Sequence, residues 1–295
     1  MLRILCLSLM CICLPLHAKS PVRKLNVVTS FSILEDITKQ IGGDRVEVKS
    51  LIGRNGDTHS FEPKPSDARM LKKADLVIVN GLGFEGWMPR LVQSSGYPGD
   101  VVEASTAVVP LKNVAGEEEH GTLDPHAWQS LKNGEIYARN IATALAAKDP
   151  DYKDYYSDRL KGYLAHIAEL DQWAKKQLTR IPAAKRRALV PHNSFTYFTR
   201  DYGIVFVAPQ GLSTESDSSA RDIATIIDDV RGQSVSAIFS ENIQPSPIIE
   251  QIARETALPV GGRLFTDALS TGKGPATTYL EMFRHNIDTL VETLK

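Results

Sequence analysis

From Gly134 to Ile181 the chain carries almost no turn signal, and no other feature limits its fold so sharply. The stretch NGEIYARNIATALAAKDP reads as one helix, stopped by Pro150. DYKDYYSDRLKGYLAHIAELDQWAKKQLTRI reads as a second, in which Leu160, Tyr163, Leu164, Ile167, Leu170, Trp173 and Leu178 recur near the helical period. At roughly 30 residues and about 1.5 Å per residue, this helix reaches roughly 45 Å, more than the width of a small domain. A helix of that length serves as a spine between two bodies.

The bodies themselves read as α/β. After Lys24 come a strand (KLNVVTS), a helix (SILEDITKQI) closed by Gly42 and Gly43, an alternating strand (RVEVKSLI), a helix (PSDARMLKKA) and a buried strand (DLVIVN). Strands separated by helices pair in parallel, under helices on both faces. The same alternation resumes after the spine. RALVP, GIVFVA, SAIFS and LPVGG read as strands, and SFTYFTRDY, SARDIATIIDDVRG, SPIIEQIARETA and ATTYLEMFRHNIDTLVETLK as helices. The expected architecture is two α/β lobes, residues 19–133 and 182–295, joined through a helical segment at 134–181, with any ligand in the cleft between them.

Residues 1–18, MLRILCLSLMCICLPLHA, read as a signal peptide. Arg3 supplies the positive start, the apolar run to Leu16 is short, and LHA ends on a small residue. All three cysteines, Cys6, Cys11 and Cys13, lie inside it. The residues before Cys11 and Cys13 are Met10 and Ile12, so no lipid anchor is expected. Removing this segment takes away Arg3 alone among the charges and leaves 33 basic against 35 acidic side chains, a formal net charge of −2. A chain so balanced lacks the basic excess a nucleic acid demands. Without cysteine, a metal site must come from histidine, carboxylate and carbonyl groups.

Ligands of open α/β sheets bind beyond the carboxyl ends of the strands. Four metal-type residues fall in such loops: His59 in GDTHSFEP, His126 in LDPHAW, His192 in VPHNSF and Asp267 in RLFTDALS. Taken singly, each has a plain alternative. A histidine in a polar loop is commonly surface decoration, and Asp267 reads equally as a cap or turn residue. Position is what groups them, two from each lobe. His166 and His285 fall within helices and read as structural or surface groups, and His120 sits in a short acidic loop, GEEEHG. Three imidazoles and one carboxylate suit zinc, with manganese or ferrous iron as alternatives. Four protein ligands close a tetrahedral shell, which favours holding a metal over using it. No nucleophile elbow, phosphate loop or HExxH is present.

At these residues the chain resembles the metal-binding solute-binding proteins of ABC transporters. The resemblance covers nearly the whole mature chain. It rests on IGGDRVEVKSLI, DTHSFEPKPSDARMLKKADLVIVNGLGFEGWM, DPHAW, SFTYFTRDYGI, GLSTESDSSARDI, IFSENIQ and LFTDALS. It implies two α/β lobes on one rigid helix, with metal ligands at His59, His126, His192 and Asp267. It implies no catalysis. The implied partners are a membrane permease and its ATPase, with a loading metallochaperone left open, and the implied carrier is a periplasmic monomer. A histidine at the third ligand position resembles zinc-type members, while FTDALS also resembles manganese-type ones. Glu62, Glu215 and Glu241 are the motif's candidates for orienting the imidazoles, and His120 reads as part of a solvated loop. A secreted zinc hydrolase is the alternative from another class, requiring an open metal position and a general base. An adhesin-like surface protein is a third.

Overall fold

The computed structural model describes residues 23–113, 121–215, 224, 225, 227, 228, 230, 232, 235–243, 245–256 and 258–295. The expected signal peptide, His120 and most of the expected helix SARDIATIIDDVRG lie outside the described residues.

The first lobe runs β1 (Leu25–Thr29), α1 (Ser32–Gly42), β2 (Val46–Ser50), α2 (Pro65–Lys72), β3 (Leu76–Val79), α3 (Met88–Ser95) and β4 (Val101–Glu103). Its four strands lie in the order β2-β1-β3-β4, all parallel. β3, LVIV, is buried at every position, as a central parallel strand must be when helices cover both faces. β2 alternates buried and exposed because it is the edge strand, and its exposed Glu47 and Lys49 pair with each other.

Helix α4 (Leu131–Lys148) is capped by Ser130, whose hydroxyl accepts from the Asn133 amide. Helix α5 (Lys153–Leu178) follows after a short turn at Pro150–Tyr152. Its 26 residues span about 39 Å. Tyr156, Tyr163, Ile167, Leu170, Ala174 and Leu178 form its buried stripe, against α1 and α4 on one side and the last helix of the chain on the other. The second lobe comprises β5 (Arg187–Leu189), α6 (Thr196–Tyr202), β6 (Val205–Val207), β7 (Ala237–Glu241), α7 (Pro247–Thr256), β8 (Val260–Leu264) and α8 (Tyr279–Leu294). Its strands lie in the order β6-β5-β7-β8, again all parallel. The two lobes therefore share one strand order.

The lobes are not independent bodies joined only by the spine. One buried cluster runs from Val27 and Phe31 through Trp128, Tyr163 and Tyr279 to Phe198 and Leu264. Gly134 marks a close approach within it: a Cβ there would meet the Tyr279 hydroxyl at 2.6 Å and its ring at 2.9 Å. That hydroxyl donates to the Trp128 carbonyl at 2.6 Å. Among the described residues, no helix is long and apolar enough to cross a membrane.

Candidate metal centre

His59 lies in the irregular loop after β2. Asp57 turns that loop by accepting the His59 amide at 2.9 Å through Oδ1, while its Oδ2 accepts from Thr214 Oγ1 of the second lobe at 2.7 Å. The imidazole meets the edge of Phe84, ring centres 5.0 Å apart, and keeps 7% of its side-chain surface exposed.

His126 is fully buried at the start of the turn Ala127–Gln129. The preceding Asp124 accepts twice through one oxygen, from the His126 amide at 2.9 Å and from ring Nδ1 at 2.8 Å. A carboxylate accepts only, so the proton sits on Nδ1 and the Nε2 lone pair is free to face the cleft. His192 follows β5 and is built in the same way, with Nδ1 at 2.6 Å from Glu241 Oε2 at the end of β7. Asp267 follows β8 and is also fully buried.

The structure brings all four expected residues together. One donor atom from each of His59, His126, His192 and Asp267 lies within 4.8 Å of every other. His59 Nε2 and His126 Nε2 are 3.4 Å apart. Asp267 Oδ2 is 3.3 Å from His59 Nε2 and 3.2 Å from His192 Nε2, and Oδ1 is 3.8 Å from His126 Nε2. Yet His192 Nε2 and both Asp267 oxygens are buried with no hydrogen-bond partner. Buried polar atoms are rarely left orphaned, and three orphans aimed at one point fit a cation. Phe84 and Trp128 wall the His126 ring at 5.9 and 5.2 Å between centres and keep water from its back.

The electrostatics agree with that fit. Burial opposes ionisation of Asp267, but the charges of His192 and His126 outweigh it and hold the carboxyl well below the usual carboxylate range. Burial pushes the His192 imidazole down, yet the charges of Glu241 and Asp267 carry it well above its ordinary value. A proton on His192 thus answers the same negative field that a metal would.

Of the three candidates for orienting the imidazoles, Glu241 alone does so. The side chains of Glu62 and Glu215 are exposed, because the loops they sit in turn outward. Asp124, two residues before His126, does that work instead. The signal was present in LDPHAW: an aspartate two residues ahead of a histidine closes a local Asx turn. Sequence reasoning also missed Glu85, which is buried and accepts from Ser30 Oγ at 2.6 Å, the Asn80 amide at 2.7 Å and the Gly81 amide at 3.2 Å. Burial pushes its carboxyl up to about 7 against the pull of those bonds. It fixes the turn that carries Phe84. His166 is exposed on α5, and His285 lies on α8 with Nε2 at 2.9 Å from the Arg263 carbonyl, so both stand apart from the cluster.

Comparison with known proteins adds an independent line. The family described as ZnuA, zinc-uptake complex component A, periplasmic, matches residues 27–293. The manganese ABC transporter substrate-binding lipoprotein PsaA of Streptococcus pneumoniae is 34% identical over 283 residues, 94% of this chain and 91% of its own. The manganese-binding lipoprotein MntA of Halalkalibacterium halodurans is 34% identical over 272 residues, 92% of this chain and 88% of its own. The structure of the periplasmic zinc-binding protein TroA from Treponema pallidum superposes with a TM-score of 0.85 at 28% identity, over 92% of this chain and 99% of that one. Two of these relatives are lipoproteins by name, whereas the sequence reading expects no lipid anchor on this chain.

Proposed function

The chain belongs to the ZnuA family of solute-binding proteins of metal ABC transporters, and from that premise we propose that it captures one zinc ion between His59, His126, His192 and Asp267. It is an extracytoplasmic metal-binding protein, and the family carries its ligand without chemical change, which removes the hydrolase reading. Such proteins work with a membrane permease and an ATPase. We place this chain in the periplasm as a monomer that passes its ion to that permease, with a metallochaperone as a second partner.

The observation that carries the reading is the convergence of four donor atoms within 4.8 Å, with the orphaned atoms of His192 and Asp267 among them. Three neutral imidazoles and one carboxylate leave a bound divalent cation with one net positive charge. Asp124 and Glu241 partly offset it from behind two of the rings. Three nitrogens favour zinc over manganese, whose preference is for oxygen.

A second reading is manganese. PsaA and MntA are manganese proteins by name, and here both oxygens of Asp267 are orphaned, one near two imidazoles and the other near the third. A carboxylate used through both oxygens makes a five-donor shell, which suits manganese or iron better than a closed tetrahedron does.

The test is metal content and competitive affinity of the mature protein, stripped and reloaded, beside His192→Glu. One tightly held zinc per chain, with the variant moving towards manganese, supports the zinc reading. Wild-type protein that keeps manganese in preference replaces zinc with manganese. No stoichiometric metal at all ends the proposal.

A further inference from the structure

Asp267 follows β8 of the second lobe, yet the loop that carries it is bonded from both lobes. Trp128 Nε1 and Gln129 Nε2 both donate to the Thr266 carbonyl at 2.8 Å. The Leu269 amide donates to Ser32 Oγ, and the Leu269 carbonyl accepts from the Asn55 amide, each at 2.9 Å. The second lobe supplies Asn242, which accepts the Thr266 amide at 3.3 Å and donates to the Ala268 carbonyl at 3.0 Å, and Asn286, which accepts the Phe265 amide at 2.9 Å and donates to the Phe265 carbonyl at 2.7 Å.

The Thr266 carbonyl is the best placed of these contacts to act on Asp267. That oxygen lies in the same rigid peptide plane as the Asp267 nitrogen and Cα. Two donors on one carbonyl occupy both its lone pairs and so set the orientation of the plane. The plane in turn sets the point from which the Asp267 side chain leaves the backbone. Both donors sit in the turn immediately after His126, and Trp128 is fully buried with its ring 5.2 Å from the His126 ring. The placement of one donor residue is thereby imposed on another, 141 positions further along the chain, across the lobe boundary.

We infer that Gln129 and Trp128 are positioning residues for Asp267, holding its carboxylate against the imidazoles from the opposite lobe. This rests on the proposed role of the four side chains as metal ligands. Neither residue touches the ion; Gln129 acts through Asp267, and Trp128 does so while also walling the His126 ring.

The test is a double-mutant cycle on the mature chain, read as zinc dissociation in a chelator chase and as competitive zinc affinity. Gln129→Met keeps the volume and removes the donor. It should speed zinc loss about fivefold to tenfold, the value of one net hydrogen bond. In an Asp267→Asn background, where the charge it positions is gone, it should change neither quantity. Trp128→Phe runs the same cycle on the second donor and stands in should Gln129→Met fail to fold. An equal effect in both backgrounds overturns the inference, because a general packing role would add regardless of Asp267. No effect in the wild-type background overturns it as well. If Asp267→Asn holds zinc as tightly as wild type, the ligand assignment falls and the inference with it. If Asp267→Asn weakens zinc while neither donor variant does, positioning alone is wrong.

Discussion

His59 and His126 come from loops of the same lobe and face the same point, but they are held to different standards. His126 is fully buried, and Asp124 fixes both its amide and its ring. His59 keeps a partly exposed ring, with Asp57 fixing only the amide and the Phe84 edge guiding the imidazole. His192, in the other lobe, matches His126 in burial and in its carboxylate. Two imidazoles are therefore set in advance and the third sits at the rim. Preset ligands lose little freedom when a cation arrives, whereas a rim ligand can swing to admit it.

The strongest way to break this contrast is to delete one ring of each kind. Structural zinc sites are worth on the order of 10 kcal/mol shared among four ligands, so each ligand is worth about two to three. His126→Ala should lower zinc affinity by at least about a hundredfold, and His59→Ala by several-fold less. Isothermal titration with a competing chelator measures both, and equal losses would show that burial and carboxylate support confer nothing.

A smaller effect tests the carboxylates. Asp124→Asn and Glu241→Gln should each cost about 10–100-fold in metal affinity, since each replaces the charged acceptor that orients an imidazole with a weaker neutral amide oxygen. Glu62→Gln and Glu215→Gln should leave the same titration unchanged, their side chains being exposed. A comparable loss in either would put that residue back among the orienting groups.

The last effect falls on stability and leaves metal affinity aside, at Glu85 behind the Phe84 turn. Its ordinary value is 4.5 and its folded value about 7, so the folded chain binds the proton more tightly than the unfolded one. Its stabilising protonated form is fully present below 4.5 and lost as pH rises through about 7. Stability of the stripped protein should therefore fall by up to ~3 kcal/mol across that window. Glu85→Gln should flatten that slope. Thermal melts at a series of pH values decide it, and an unchanged slope would clear Glu85 of the effect.

Much of the fold was legible because long elements repeat themselves. The α5 stripe at Tyr163, Ile167, Leu170 and Leu178 follows the helical period, and β3 reads as a buried strand from LVIV alone. β4 and α3 were not legible: three residues carry no period, and the eight of α3 start on Met88-Pro89 in a glycine-rich turn. At the site, all four ligand candidates stood out through residue type and loop position, and Glu241 through its motif. Asp124 was visible only as half of a DP turn. Glu62 misled because closeness in sequence to His59 says nothing about which way a loop faces.

The sequence by itself determined the residue types. It offers no cysteine thiolate beyond the first 13 residues, and its four ligand candidates, His59, His126, His192 and Asp267, fall in loops. It also determined the two alternating halves and the helix between them, because both follow from local periodicity. Tertiary structure alone decided which acids stand behind the rings. It also decided that the Asp267 loop is bonded across the lobe boundary by Trp128 and Gln129. Those contacts join residues more than a hundred positions apart. Hydrogen bonds over such separations depend on where packed helices and sheets bring the chain, which local pattern does not encode.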